Sequence, residues 1–131
     1  MAVRMVDTNI VSYYVKRHPL AAKYLPHTTG YVLAVSFQTV AELWLWADLA
    51  GWGAARRAHL TGTLAGMLTY QSTPDVCDRW VEIQVARQSR KISTADAWIA
   101  ATALAHRFEL VTHNPADFAG IPGLAVITEA P

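Results

Sequence analysis

The sequence predicts an α/β protein of three layers, in which a central parallel sheet of about five strands lies between two layers of helices. Two patterns support this prediction. Short apolar runs alternate along the chain with longer segments of helical character, which is typical of parallel strands joined by right-handed helical crossovers. These runs are largely continuous in their apolar character, as expected for strands covered on both faces. The usual strand order for this architecture is 3-2-1-4-5.

The overall composition limits the possible classes of protein. The 131 residues suit one domain, and 53% of them are hydrophobic, so part of this apolar surface is expected to cover a partner. The net charge of +1 neither requires nor excludes nucleic acid. The single cysteine, Cys77, excludes an internal disulfide and a cysteine-based metal site. Because no signal peptide and no apolar stretch near ~20 residues is evident, we expect a cytoplasmic protein without a membrane segment.

The first strand is a short apolar run at 3–6 that stops at Asp7. The helical pattern that follows ends in a basic cluster at 16–18, which suits the C-terminal end of a helix, and Pro19 prevents its continuation. The next helix is expected to end before Pro26. The predicted helices of this part are 10–18 and 20–25.

The second strand is a run of β-branched, aliphatic and aromatic residues at 31–35. A helix from Thr39 to Leu49 follows, and its residues are nearly apolar all round, which a helix with only one packed face would not need. Gly51 and Gly53 end this helix, and the next helix is predicted at 54–64.

The second half of the chain contains clear helix boundaries. Thr73 is a cap residue followed by a proline at the first helical position, Ser93 is a second cap residue, and Asn114-Pro115 begins a single helical turn. The remaining predicted elements are strands at 67–71, 109–112 and 124–127, and helices at 94–106 and from 74 into the basic residues 87–91.

Several carboxylates are predicted to meet at one edge of the sheet. Because all strands of a parallel sheet point the same way, their carboxyl ends form one edge, where open α/β sheets bind ligands. This topology places Asp7, Glu42 and Asp117 at that edge. Asp96 follows a connection between two helices, so its position there requires a further argument.

Each acid taken alone is also explained by helix capping. Thr39 with Glu42 and Ser93 with Asp96 have the spacing of a capping box, and Asp7 has a suitable position for an N-cap. Asp117 lies in a good helix start at 114–117. Capping of these helices would leave the carboxylates with a structural role only.

The surroundings of Asp96 favour a bound cation. One turn further along its helix, Ile99, Ala100 and Ala103 form an apolar face. A carboxylate beside such a face would be neutral unless a cation or several donors compensated it, and a divalent ion shared with Asp7 would keep both charged. Hard oxygen ligands without clustered histidine or cysteine favour Mg²⁺ or Mn²⁺, bound with several waters retained. The pattern leaves one or two ions open.

Four motifs together resemble a known family. They are Val6-Asp7-Thr8-Asn9, Ala41-Glu42-Leu43, residues 96–103 and residues 112–118. This set resembles the PIN domain and, more closely, the VapC-type toxins of bacterial toxin-antitoxin pairs. The resemblance covers essentially the whole chain and implies a single PIN-like nuclease domain over residues 1–131.

The resemblance implies a metal-dependent endoribonuclease, the toxin of a type II pair, that pairs as a homodimer and is neutralised by a cognate antitoxin. One departure is His113, where an arginine is common in this motif. By position, the implied catalytic and metal-binding residues are Asp7, Glu42, Asp96 and Asp117, with Mg²⁺ or Mn²⁺ as cofactor, and the supporting polar residues are Thr8, Asn9, Thr112 and Asn114.

Basic and aromatic residues are candidates for contacts with partners. Because an acidic edge repels RNA, cations should border it, and Arg87, Arg90 and Lys91 are best placed; the alternative is that they only favour the end of a helix. In the resembled family, early helices form the groove that receives the antitoxin. The candidate groove residues here are Tyr13, Tyr14 and Trp46.

Two other functions were compared with a ribonuclease toxin. A catalytically inactive PIN-like binding or scaffold protein would keep the fold, but the presence of all four acids argues against it. A phosphate-transfer domain of the response-regulator kind also gathers acids at strand ends. The chain lacks the adjacent acidic pair and the late lysine that this chemistry requires.

Overall fold

The computed structural model describes residues 2–131 and contains a five-stranded parallel sheet in the order β3-β2-β1-β4-β5. The predicted fold class and strand order are therefore confirmed. The strands are β1 (Val3–Val6), β2 (Val32–Ser36), β3 (Leu68–Tyr70), β4 (Glu109–Val111) and β5 (Val126–Ile127). The helices are α1 (Thr8–Lys16), α2 (Leu20–Thr28), α3 (Phe37–Leu49), α4 (Ala54–Ala65), α5 (Pro74–Ala86) and α6 (Thr94–His106), and a 3-10 turn spans Pro115–Phe118.

Helices cover both faces of the sheet. Met5 and Leu110 pack in one hydrophobic cluster with residues of α5 and α6. The next residue of each strand, Val6 or Val111, packs on the opposite face with residues of α1, α3 and α4. Because successive side chains of a strand point to opposite faces, a sheet covered on both sides requires the continuous apolar runs seen in the sequence.

The register of the strands brings three carboxyl ends together. Met5 is aligned with Ala34 of β2 on one side and with Leu110 of β4 on the other. The backbone N–H of Asp7 donates to the carbonyl of Val111 at 3.1 Å. The residues that follow β1, β2 and β4 therefore lie side by side at one edge of the sheet.

Helix α2 is longer than predicted. It was expected to end before Pro26, but it continues to Thr28 with the proline inside its last turn. The backbone N–H of Thr29 donates to the carbonyl of Leu25 at 2.8 Å, and the hydroxyl of Thr28 donates to the carbonyl of Tyr24 at 3.3 Å. These bonds, together with the complete burial of Tyr24, compensate for the N–H that proline lacks.

Helix α3 begins earlier than predicted. Its N-cap is Ser36, whose hydroxyl accepts a hydrogen bond from the backbone N–H of Gln38 at 3.1 Å. The expected capping box of Thr39 and Glu42 is therefore wrong, because both residues lie inside the helix. Over residues 2–131, no helix combines the length and the apolar character needed to cross a membrane.

Candidate functional site

Asp7 connects the end of β1 to the start of α1 and is only 4% exposed. Its carboxylate accepts a hydrogen bond from the backbone N–H of Ile10 at 3.0 Å and another from the hydroxyl of Thr112. Asp7 is therefore an N-cap, as one interpretation predicted. Burial nevertheless raises its pKa to about 6; both hydrogen bonds oppose this shift, and the charges of Asp96 and Asp117 add to it.

Glu42 lies in the second turn of α3 and is held by a pair of threonines. The hydroxyl of Thr8 donates to its carboxylate at 2.8 Å and lies 3.0 Å from the hydroxyl of Thr39. Burial raises the pKa of Glu42, the bond from Thr8 opposes this, and the charge of Asp96 raises the pKa further. A chain of two hydroxyls thus orients this carboxylate.

Asp96 lies in the first turn of α6. Its backbone N–H donates to the hydroxyl of Ser93 at 3.1 Å, which confirms Ser93 as the N-cap of this helix. Burial raises the pKa of the Asp96 carboxyl; the contact with Ser93 opposes this, the charge of Asp117 raises the pKa and that of Arg87 lowers it. The three predicted apolar neighbours on α6 are buried, namely Ile99, Ala100 and Ala103.

Asp117 lies in the 3-10 turn and is exposed. With Asp96 it lines a groove of about 380 Å³, which Arg90, Lys91 and Ser93 also line. The two aspartates therefore face the same space from different elements of the chain.

The four acids lie close enough together that charges among them raise the pKa values of Asp7, Glu42 and Asp96. Asp96 raises the pKa values of both Asp7 and Glu42, and Asp117 raises those of Asp7 and Asp96. None of the four forms an ion pair within residues 2–131. Across the same residues, no group of three or more His, Cys, Asp or Glu side chains is close enough to enclose a metal ion. The acids share an edge but do not converge on one point.

The predicted supporting residues differ in their contacts. Thr8 and Thr112 bind acids directly, and the hydroxyl of Thr112 also accepts the backbone N–H of Asn114 at 3.0 Å. The side chains of Asn9 and Asn114 make no hydrogen bond to the four acids. Asn9 instead lines a separate groove between α1 and α3.

The guanidinium of Arg87 is largely engaged within the protein. It is 6% exposed, and its guanidinium donates to the backbone carbonyls of Arg90, Asp117 and Ala119 at 2.6, 3.1 and 2.8 Å. Arg87 thus joins the end of α5 to the 3-10 turn, but it also lines the groove of Asp96 and Asp117, so its predicted contact with RNA stays a prediction. Arg90 and Lys91 are exposed and border the groove of Asp96 and Asp117, so their predicted contact with RNA stays a prediction.

Of the three residues predicted to line an antitoxin groove, only Trp46 lines the groove between α1 and α3. Trp46 lines a groove of about 500 Å³ together with Lys16, Leu49 and Trp52. Tyr14 does not line it. Its hydroxyl lies 2.9 Å from that of Thr28, on the side of α1 that faces α2.

Tyr13 also lies outside the lining of this groove. Its ring is next to those of His18 and His113. Two neighbours of the site, Tyr24 and His113, were not identified as a pair from the sequence. Their side chains are 2.5 Å apart although their positions differ by 89 residues. No local spacing indicates such a contact.

The fold and the site define a class of protein, the parallel α/β/α sandwiches with an acidic carboxyl edge. Residues 4–124 match the PIN domain family, and the chain belongs to this family. Ribonuclease VapC2 of Haemophilus influenzae is 30% identical over 116 residues, which cover 87% of this chain and 88% of that protein.

Solved structures have the same fold. A toxin-antitoxin complex from Klebsiella pneumoniae contains a chain with 32% identity and a TM-score of 0.72, with coverage of 95% of this chain and 96% of that chain. VapBC2 from Rickettsia felis, bound to a DNA fragment from its promoter, has a TM-score of 0.83 at 22% identity, with coverage of 96% and 98%. At the latter identity the likeness supports the fold alone.

Proposed function

We propose that this chain is an endoribonuclease that depends on Mg²⁺ or Mn²⁺ and acts as the toxin of a type II toxin-antitoxin pair. Its substrate is RNA, and a cognate antitoxin neutralises it. The observation that carries this proposal is the buried carboxylate of Asp7, which lies in the field of two other acids without a neighbouring cation. The match to Ribonuclease VapC2 supports the same activity.

The donor set fits a hard divalent cation. The candidate ligands are carboxylate oxygens, and burial raises the pKa of Asp7, Glu42 and Asp96 because their hydrogen bonds and neighbouring charges compensate it only in part. A cation would relieve this penalty. Mg²⁺ keeps several waters and needs only one or two carboxylates, so it does not require the closed ligand shell that these residues lack.

We assign Asp7 and Asp96 as the principal ligands. Glu42 would bind directly or through a water, and Asp117 would act from the exposed side of the groove. When bound, a divalent ion lowers the pKa of a bound water and stabilises negative charge on the leaving oxygen of a phosphodiester. The role of the protein is orientation: Thr112 fixes the carboxylate of Asp7, and Thr8 fixes that of Glu42.

Exposed apolar residues support the proposal that this chain binds other proteins. Leu45 and Leu49 on α3 are 53% and 77% exposed, and Val81 and Val85 on α5 are 55% and 60% exposed. Such residues favour surfaces that pack against other chains. We assign the groove at Trp46 to the antitoxin, propose that two copies form a homodimer, and place the protein, as a single PIN-like domain, in the cytoplasm.

The experiment is an RNA cleavage assay on the purified protein with Mg²⁺, with Mn²⁺ and with EDTA. Asp7→Asn should abolish cleavage, because the ligand set loses its buried charge. Asp75→Asn is the matched control. Asp75 also follows a strand, but that strand is β3, the outermost strand of the sheet, away from β1 and β4. Equal activity of the wild type with and without EDTA would contradict the proposal.

The alternative is a catalytically inactive PIN-like binding or scaffold protein. The open arrangement of the four acids is the observation that favours it. A calorimetric titration separates the two functions, because a scaffold that has lost its metal site would bind no Mn²⁺ while retaining the fold.

A further inference from the structure

A strip of three aromatic rings borders the acidic edge and has no role in the function proposed above. We call Tyr13, His18 and His113 the aromatic strip. The ring centroids of Tyr13 and His18 are 4.9 Å apart with planes at 33°, and those of Tyr13 and His113 are 6.2 Å apart with planes at 81°. Tyr13 and His113 are half-buried and His18 is exposed. The strip therefore presents aromatic surface to solvent.

The strip begins beside the catalytic candidates. His113 directly follows Thr112, whose hydroxyl binds Asp7. Tyr13 lies on α1, the helix that Asp7 caps. Burial raises the pKa of the Tyr13 hydroxyl, and the negative charge of Asp7 raises it further, as expected for neighbouring groups. A molecule bound at Asp7 would thus have the strip next to it.

Both histidines of the strip have their Nδ1 atoms engaged by the protein. Nδ1 of His18 accepts the backbone N–H of Leu20 at 3.0 Å. Nδ1 of His113 lies 2.5 Å from the hydroxyl of Tyr24. The same hydroxyl accepts the backbone N–H of Glu129 at 3.1 Å and donates to the backbone carbonyl of Thr112 at 3.5 Å.

Because Nδ1 of each ring already has a partner, Nε2 is the ring nitrogen that remains for a ligand. Neither Nε2 atom has a hydrogen-bond partner within residues 2–131, and neither is buried away from solvent. The strip consequently offers two oriented ring nitrogens beside a tyrosine ring. Fixed polar atoms next to an aromatic ring are the means by which proteins hold unstacked bases of single-stranded RNA.

We propose that the aromatic strip is a nucleobase subsite: an unpaired base of the RNA substrate, next to the scissile phosphate, stacks on Tyr13 and His18. Nε2 of His113 forms a hydrogen bond with the same nucleotide. This inference rests on the proposed ribonuclease activity. An apolar protein segment has a better match elsewhere, in the groove of Trp46 and Leu49.

The test uses 2-aminopurine, a base whose fluorescence is quenched when it stacks. Short single-stranded RNAs, each with 2-aminopurine at a different position, are mixed with the Asp96→Asn protein, which should bind RNA without cleaving it. We expect quenching at one position next to the cleavage site. Tyr13→Leu should remove this quenching and weaken binding about 10-fold, since one stacked base is lost.

Matched variants separate stacking from a general disturbance of the fold. Tyr13→Phe keeps the ring and should keep the quenching. Tyr31→Leu removes a half-buried tyrosine that precedes β2, at the amino ends of the strands and away from the acids. This variant should leave the quenching and the RNA affinity unchanged. His18→Leu alters an exposed side chain and keeps the test valid if Tyr13→Leu fails to fold. His113→Leu should weaken binding more than His113→Gln, which retains a donor.

Two different failures are distinguishable. If Asp96→Asn binds RNA and its quenching survives both Tyr13→Leu and His18→Leu, the nucleobase subsite is wrong while the ribonuclease function stands. The strip would then be a surface for a protein partner. If the wild type neither cleaves nor binds any of these RNAs, both the subsite and the proposed function are overturned.

Discussion

The hydroxyl of Thr112 donates a hydrogen bond to the carboxylate of Asp7, across 105 positions of the chain. The parallel register of β1 and β4 makes this contact possible, because Val6 is aligned with Val111 and each strand ends one residue before the bonding pair. The same hydroxyl accepts the backbone N–H of Asn114. Thr112 therefore orients Asp7 and also anchors the start of the loop that leads to Asp117.

Replacing Thr112 should impair the site without removing any of its acids. Thr112→Val keeps the shape but removes the donor to Asp7, so we expect Mn²⁺ affinity and RNA cleavage to fall by about 10-fold to 100-fold, as for other residues that orient metal ligands. Thr112→Ser, which retains the hydroxyl, is the control. Isothermal titration and cleavage rates measure both effects. Unchanged Mn²⁺ affinity in Thr112→Val would show that the hydrogen bond is unimportant.

The metal-free protein should lose stability as the pH rises. In the folded state the pKa of Asp7 is raised from 3.8 to about 6, so the folded state holds this proton more tightly than the unfolded state. The associated stability is fully present below 3.8 and is lost as the pH passes through about 6. At neutral pH the buried charge costs about 3 kcal/mol, on the basis of 1.36 kcal/mol per pKa unit.

Asp7→Asn tests this dependence directly. The asparagine can still cap α1, and it carries no charge, so this variant should be more stable than the wild type at neutral pH in EDTA while it lacks activity. Part of the pH dependence should remain, because burial also raises the pKa of Glu42 and Asp96. Urea denaturation at several pH values gives the free energies of unfolding. Identical pH profiles for the two proteins would contradict the assignment.

Loss of Arg87 should affect folding before it affects RNA binding. Its guanidinium is buried and donates to three carbonyls, so Arg87→Ala should lower the free energy of unfolding by about 2–3 kcal/mol. Cleavage should also fall, because the 3-10 turn that carries Asp117 loses its anchor. Denaturation and RNA affinity are measured on the same variant. Normal stability combined with a large loss of RNA affinity would instead show that Arg87 acts mainly through contact with RNA.

Lys91 should behave in the opposite way. It is exposed at the groove of Asp96 and Asp117 and has no ion pair within residues 2–131. Lys91→Ala should leave stability unchanged and weaken RNA binding, with the slope of log affinity against log salt reduced by about 0.7 if one phosphate contact is lost. Lys23→Ala, an exposed lysine on α2, is the comparison. An unaltered salt slope in Lys91→Ala would remove Lys91 from the interface.

Trp46 provides the test of the antitoxin groove. It lines the groove between α1 and α3, and buried tryptophans often dominate protein interfaces. Trp46→Ala should weaken binding of the cognate antitoxin by at least ~2 kcal/mol. Trp44→Ala, on the same helix but outside the groove lining, controls for damage to α3. Antitoxin affinity that is unchanged by Trp46→Ala would exclude this groove.

The sequence was sufficient for features that depend on periodicity and topology. Alternating strands and helices predicted the parallel sheet, and the strand order is the usual one for this architecture. The parallel direction predicted that Asp7 and Asp117 lie at the same edge. Features that depend on distant packing were missed. In the sequence, Arg87 is an ordinary basic residue at the end of a helix. The carbonyl of Asp117 that its guanidinium binds lies in the 3-10 turn, some 30 residues later, so no local pattern indicates the contact.

The orientation of aromatic side chains was also beyond the sequence. Tyr13 and Tyr14 are adjacent on α1, so they point in directions about 100° apart, and only the packed helices decide which one meets a groove. Tyr14 faces α2, and Tyr13 faces His113. The pairing of His113 with Tyr24 likewise requires α2 to lie across the end of β4.

The most direct test of the acidic site is cleavage of RNA by the wild type, Asp96→Asn and Asp75→Asn over a range of Mg²⁺ concentrations. If the four acids hold a catalytic divalent ion, the wild type and Asp75→Asn will cleave with the same dependence on Mg²⁺, and Asp96→Asn will be inactive at every concentration although it folds normally. A fully active Asp96→Asn protein would contradict the account.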